Sequence, residues 1–256
     1  VGDMQGAEIP LYEAQIIANR NRQWGVWISV KYLQIRIEMV AGNWSNVEYL
    51  LAETKEESAG IDRYLFISTS ELCNAYVYSK LNMPQKLTSM FKPGWDENLN
   101  ANFRAIPTIY ALHAEVLLVR KAYIPLVALS KKYLDTARIY PNLMVEIMLH
   151  IIVASAYRAL GDHTKAVEHL RNALALALPD GILMPFVEFV RYIEPILGQI
   201  TNTEYTKDIA QILTLSKEYR RQLDEMRQRI SQNGGVNLTQ QERKIAILAA
   251  GGYSNK

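Results

Sequence analysis

The chain has 256 residues, 49% hydrophobic and 21% charged, with a formal net charge of +2. That length can bury a sizeable core, and that composition excludes a disordered chain. The small charge gives no electrostatic signature of a nucleic-acid or membrane surface, and the single cysteine, Cys73, excludes an intrachain disulfide and reads as a structural thiol.

Helical patterning dominates from Leu11 onward, alternating strand patterns are nearly absent, and Gly and Pro fall at plausible helix ends. A repeat is the first thing to seek in such a chain. Gly42, in VAGNWSNVEYLL, precedes Val47 by five residues and Leu51 by nine. Asn82 stands so to Leu87 and Phe91, Lys121 to Leu126 and Ser130, and Gly161 to Ala166 and Leu170. Turns at 42, 82, 121 and 161 give a period of about forty. The fullest unit is Ile147 to Gly181, with Ala154 and Tyr157 on one helix, a Leu160-Gly161-Asp162 turn, and Ala166, Leu170, Ala173 and Leu174 on the next. Small residues let paired helices approach closely, and Tyr157 fills the gap between them. A helix over Met184 to Gln199 follows, then a longer, charge-rich one over Thr203 to Ile230 whose charges read as a solvated face. The run 231–237, SQNGGVN, reads as a linker. Beyond it LTQQERKIAILAAGGYSNK opens with a Thr239-x-x-Glu242 capping box, carries Ile245, Leu248 and Ala249 on one face, and ends on Ser254, a second cap.

The most apolar stretch, Leu174 to Val190, is interrupted by Pro179, Asp180, Gly181, Pro185 and Glu188, so no membrane span is expected. No signal peptide is visible, and Val1 as first residue reads as an excised fragment of a cytoplasmic protein. No catalytic set stands out. His113, His150, His163 and His169 lack metal-ligand spacing, and no nucleophile elbow or H-E-x-x-H occurs, so neither an enzyme nor a metal site is expected.

The unit 147–181 resembles a tetratricopeptide repeat, with His150 where that repeat has tryptophan. The tail resembles the opening of the LuxR-type helix-turn-helix domain: Leu238, Thr239, Glu242, Ile245, Leu248, Ala250, Gly252, Ser254, Asn255 and Lys256 fall on matching positions, while Gln241 and Lys244 depart from the pattern. Together with Ala173 to Val190, where Ile182 replaces a usual aromatic, the chain resembles the MalT-like large regulators of that family. The resemblance implies an all-α, tetratricopeptide-like helical-repeat solenoid of about four hairpins plus C-terminal helices over 1–230, a linker over 231–237, and a truncated DNA-binding domain over 238–256. It implies that Thr239, Ser254, Asn255 and Lys256 belong to a domain that binds promoter DNA when complete. It also implies a small-molecule inducer or a regulatory protein as partner of the repeats, with self-association possible. No cofactor is expected in this fragment; an ATP-binding module would lie upstream.

The repeat register supplies the candidate ligand groups. Seven residues before each turn lie Ile35, Ala75, Ala114 and Ala154, an apolar row. Six before lie Arg36, Tyr76, Glu115 and Ser155; thirteen before lie Ser29, Thr69, Thr108 and Met148. In a tetratricopeptide-like stack these rows face the concave groove. Arg36, Thr69, Tyr76, Thr108, Glu115, Ser155 and Arg158, with Tyr32 and Tyr110 to stack on a sugar or ring, are therefore the expected ligand-binding groups. A broad groove or an exposed apolar patch favours a docked protein instead.

Overall fold

The computed structural model describes residues 4–59, 68–87, 91, 95, 105–200 and 203–232. Among the described residues the chain is helical and contains no strand. The α-helices are α1 (Met4–Arg20), α2 (Trp24–Ala41), α3 (Trp44–Ser58), α4 (Thr69–Lys80), α5 (Ile106–Val119), α6 (Tyr123–Ile139), α7 (Leu143–Ala159), α8 (His163–Ala177), α9 (Met184–Glu188), α10 (Val190–Leu197) and α11 (Thr206–Gln232). Short 3-10 turns cover Pro84–Lys86, Leu178–Asp180 and Thr203–Tyr205.

The described residues divide into two compact units, one formed by those of 78–219 and the other by those of 4–77 and 220–232. In the first, α6 packs on α5, α7 on α6 and α8 on α7; α5 also packs on α7, passing over α6, and α9 and α10 pack on α7. In the second, α1 packs on α2 and α2 on α3. Helices α4 and α11 each contribute residues to both units.

The turns share one hydrogen-bond scheme. Residues Gly42, Asn82, Lys121 and Gly161 all take positive φ, at 79°, 51°, 58° and 85°. In each case the next residue's N–H bonds five residues back: Asn43 to Glu38, Met83 to Tyr78, Ala122 to Leu117 and Asp162 to Tyr157, at 2.8–3.0 Å. This is the Schellman ending, which satisfies the carbonyls a helix leaves open. Arg22 and Gly181 repeat it, with Gln23 bonded to Ala18 and Ile182 to Ala177. At Pro141 the ring forbids positive φ; α6 ends on Tyr140 at φ −109°, yet Asn142 still bonds back to Ala137. The following helices start on side-chain caps where the sequence offers them, with Asn142 accepting from Val145 N–H and Asp162 from Lys165 N–H.

The apolar row lies in the core as the register requires. Ile35, Ala75, Ala114 and Ala154 are all 0–1% exposed. Ala166, Leu170, Ala173 and Leu174 of α8 are fully buried, and Tyr157 stacks on His169 at 5.5 Å between ring centroids. Burying one leucine contributes about 1.5–3 kcal/mol.

Three elements differ from the sequence expectation. After Asn82 the register calls for a second helix through Leu87, but Pro84–Lys86 form a 3-10 turn and Leu87 is extended (φ −70°, ψ 139°). The helix expected over 184–199 breaks at Phe189 (φ −105°, ψ 9°) into α9 and α10. Six consecutive residues, Pro185 to Val190, are buried. The charge-rich helix carries a buried stripe of Ile212, Ser216, Tyr219, Leu223 and Met226 opposite its solvated face. It runs through Gln232, two residues into the expected linker. The remainder of that linker and the tail motif, with Thr239, Ser254, Asn255 and Lys256, lie outside the described residues. Among the described residues no helix is long and apolar enough to cross a membrane.

Candidate functional site

The polar rows do not stand open to water. Tyr76 is 0% exposed, Glu115 and Ser155 are 2%, and Thr69 is 0%. Ser155 and Glu115 find polar partners inside the fold. Ser155 Oγ donates to the Ile151 carbonyl at 2.8 Å, and Tyr32 meets the Tyr76 ring edge-on at 4.9 Å. Arg36 and Thr108 are half-buried. Tyr110 stacks on Tyr133 at 4.7 Å, with Trp95 at its edge and Lys132 Nζ 5.2 Å above its ring. It belongs to a packed aromatic group in which Phe91 stacks on His113 and His113 Nδ1 lies 2.7 Å from Tyr133 Oη.

Glu115 belongs to a buried ionic group. Lys80 Nζ, at the end of α4, lies 3.0 Å from Glu115 Oε1 and 3.1 Å from Glu188 Oε2, all three side chains being at most 2% exposed. The ammonium also sits 3.7 Å from the Phe189 ring centroid, where the negative face of the ring favours a cation. The second unit has a parallel arrangement. Fully buried Lys31 lies 2.7 Å from Glu53 and 2.9 Å from Glu57, beside Trp27. Tyr49 donates to Glu53 there, and burial followed by that bond pushes its hydroxyl up to about 12.

Arg158, like Tyr32, Arg36 and Thr108, keeps part of its surface accessible. Half-buried at the end of α7, its Nε donates to the Tyr192 carbonyl at 3.0 Å. The Tyr192 hydroxyl donates to Asn82 Oδ1 at 3.2 Å. Burial raises the Tyr192 hydroxyl above its ordinary value, Glu115 and Tyr123 add to the rise, and the Arg191 charge opposes it. Asn82 is the residue of a left-handed turn, so repeat geometry places it here. The register singled out Glu115 and Arg158 but not Lys80, Glu188, Arg191 or Tyr192. One signal existed: Glu188 is a carboxylate with apolar residues on both sides in the most apolar stretch of the chain, and such a group, once buried, needs a cation.

The histidines form no metal centre among the described residues. His150, where the repeat pattern has tryptophan, is 3% exposed, and its Nδ1 lies 2.9 Å from His169 Nδ1. Burial, then the His169 and Arg138 charges, lower His150 to about 4; burial also lowers His169. Separately, the second unit holds an open cleft of about 430 Å³ between α1 and α2, lined by Glu8, Ile9, Tyr12, Gln34, Ile37 and Glu38 among others. It contains none of the predicted ligand groups.

No family model, no curated protein and no solved structure matches this chain.

Proposed function

We propose that this chain is the signal-sensing region of a bacterial, cytoplasmic transcription regulator of the LuxR family. In this reading its helices form a tetratricopeptide-like solenoid that binds a small inducer and passes the signal to a C-terminal DNA-binding domain. The observation that carries it is the repeated turn. Left-handed residues at 42, 82, 121 and 161 close with the same backbone bonds, and this evenly spaced series of turns precedes the LuxR-like tail motif. Any ATP-binding module belongs to chain upstream of these residues, and promoter DNA is the partner of the complete C-terminal domain. The test is chromatin immunoprecipitation of the full-length gene product. Enrichment at discrete promoters, changed by a metabolite that also shifts the melting temperature of this chain, is the expected result. Uniform background across the genome overturns it.

A second reading, docking of a regulatory protein, is favoured by one observation. Helix α1 turns Ala18 into the core and leaves Ile9, Tyr12, Ile16 and Ile17 at 69%, 64%, 49% and 52% exposure. A contiguous apolar face of this kind is a common interaction surface. Tyr12→Glu with Ile16→Glu, both exposed and so harmless to the fold, should abolish capture of a protein partner and leave a small-molecule melt shift unchanged.

A further inference from the structure

We infer that the exposed face of α1 is a self-association surface, on which a second copy of this chain lays its own α1 antiparallel. That assignment names an occupant for the face on which the protein-docking reading rests, and ligand sensing is not needed for it.

Helix α1 presents one ridge of exposed residues at i, i+4 spacing, Glu8, Tyr12, Ile16 and Arg20. Ile9, Glu13 and Ile17 form the ridge beside it and are exposed as well. Residues four apart are neighbours along a helix, and twelve residues span about 18 Å. The first ridge is acidic at its start, apolar in the middle and basic at its end. Turned end for end, it is complementary to itself. A twofold axis level with Ala14 sets Glu8 against Arg20 of the second copy and Tyr12 against Ile16 of the second copy, and each pairing occurs twice. Laying the i, i+4 ridges of two helices alongside each other is the commonest packing class in globular proteins. Parallel copies would set glutamate on glutamate and arginine on arginine, so the charges select the antiparallel direction. Among the described residues neither Glu8 nor Arg20 has an ion-pair partner of its own.

The open cleft of about 430 Å³ extends this surface. It lies along the first half of α1, where Glu8 and Tyr12 of the ridge share it with Ile37 and Glu38 of α2. The antiparallel arrangement carries Ile16 and Arg20 of the second copy to that end. They bring an apolar side chain to an apolar wall and a guanidinium to a recess with two carboxylates. The receiving helix is held in place beforehand. Gln34 Nε2 donates to Gln15 Oε1 at 3.0 Å, and Ala18 is fully buried, so α1 is fastened to its unit without help from a partner. Little ordering is then left for association to oppose. Tyrosine and arginine are also among the side chains that carry most of the binding energy at protein interfaces. One helix and a cleft rim make an interface at the small end of the known range, which fits a reversible dimer and not an obligate one.

The test is sedimentation velocity of the 256-residue chain over a range of concentrations. A reversible shift from 29.2 kDa towards twice that mass is expected. Glu8→Arg and Arg20→Glu should each weaken it at least about tenfold, because each sets like charges together at both ends of the helix pair. Mixed in equal amounts, the two variants should associate with each other about as tightly as the native chain does with itself, since one ridge is then basic at both ends and the other acidic at both. Arg171→Glu, a charge reversal at an exposed site on α8, should change nothing. All three sites are exposed, and circular dichroism of each variant checks the fold. A chain that stays monomeric at every concentration overturns the proposal. So does association that Arg171→Glu weakens equally, or that the mixed variants fail to recover. A monomer that binds a different protein through Tyr12 and Ile16 overturns the second copy as occupant and leaves the docking reading standing. A dimer that follows the charge pattern while no other protein is captured supports the second copy and removes the regulatory protein.

Discussion

Lys80 shows how a single buried side chain shapes the first unit. Its ammonium touches a carboxylate from α5, a carboxylate from α9 and the ring of Phe189 between α9 and α10. Replacing it by methionine keeps much of the volume and strands two carboxylates out of water. Removing one partner of a buried pair costs about 3–5 kcal/mol. Urea denaturation of Lys80→Met should show a loss of that size, and Lys80→Met combined with Glu115→Gln and Glu188→Gln should recover a large part of it. The histidine pair gives a pH prediction. His150 is lowered to about 4 in the folded chain, against an ordinary 6.5 when unfolded. Protons therefore bind the unfolded chain preferentially between these values. The stability contribution is complete above about pH 6.5, declines as the pH falls, and is lost below about pH 4. The full loss is at most about 3 kcal/mol. Stability measured between pH 7 and pH 4 should fall more steeply in the native chain than in His150→Phe, which removes the ionisable ring.

Among the elements, the turns do the same job with different residues. Gly161 and Gly42 adopt positive φ without a side chain, whereas Asn82 and Lys121 adopt it with one. A left-handed conformation costs an ordinary L-residue about 1–2 kcal/mol. Gly161→Ala should therefore destabilise by about 1 kcal/mol, since an added Cβ meets nothing within 4 Å. Gly42→Ala carries the same backbone strain and puts its Cβ 3.1 Å from Gln222 Cγ of α11. It should cost more, and the excess over Gly161→Ala should vanish in a Gln222→Ala background. Lys121→Gly should stabilise by a few tenths of a kcal/mol, the relieved strain being partly offset by a freer unfolded chain. Equilibrium denaturation of the set ranks them.

For the molecule as a whole, the helical class, the four left-handed turns and the apolar row were legible before any coordinates. Turn positions and the apolar row seven residues before them come from local backbone chemistry and helical period, which a sequence displays directly. The break at Phe189 was not legible, because no glycine or proline stands at it in the sequence. Nor was the closure of the polar rows. Glu115 and Ser155 read as outward-facing because their neighbours are apolar, but Glu115 is met by Lys80 from a helix distant in sequence and Ser155 by the Ile151 carbonyl one turn back in its own helix. The buried stripe on α11 was masked by its charges, although Ile212, Ser216, Tyr219, Leu223 and Met226 keep four-three spacing throughout. Its second half belongs to the unit that holds α1 to α3. Leu223→Ala, at a site 2% exposed, should cost about 2–5 kcal/mol. In hydrogen exchange it should loosen α2 and α3 before α7 and α8.

The shared turn chemistry bears on how such a chain can change over generations. Each hairpin ends on the same pair of backbone bonds, made by main-chain groups and indifferent to most side-chain identities. A duplicated or deleted stretch of about forty residues, cut from one left-handed turn to the next, keeps every helix end satisfied and every apolar row in phase. A stretch of thirty rotates all the later rows out of register. Length variation in this lineage should therefore be counted in whole hairpins, and a gene library of random in-frame insertions should yield soluble protein at that step size and little between.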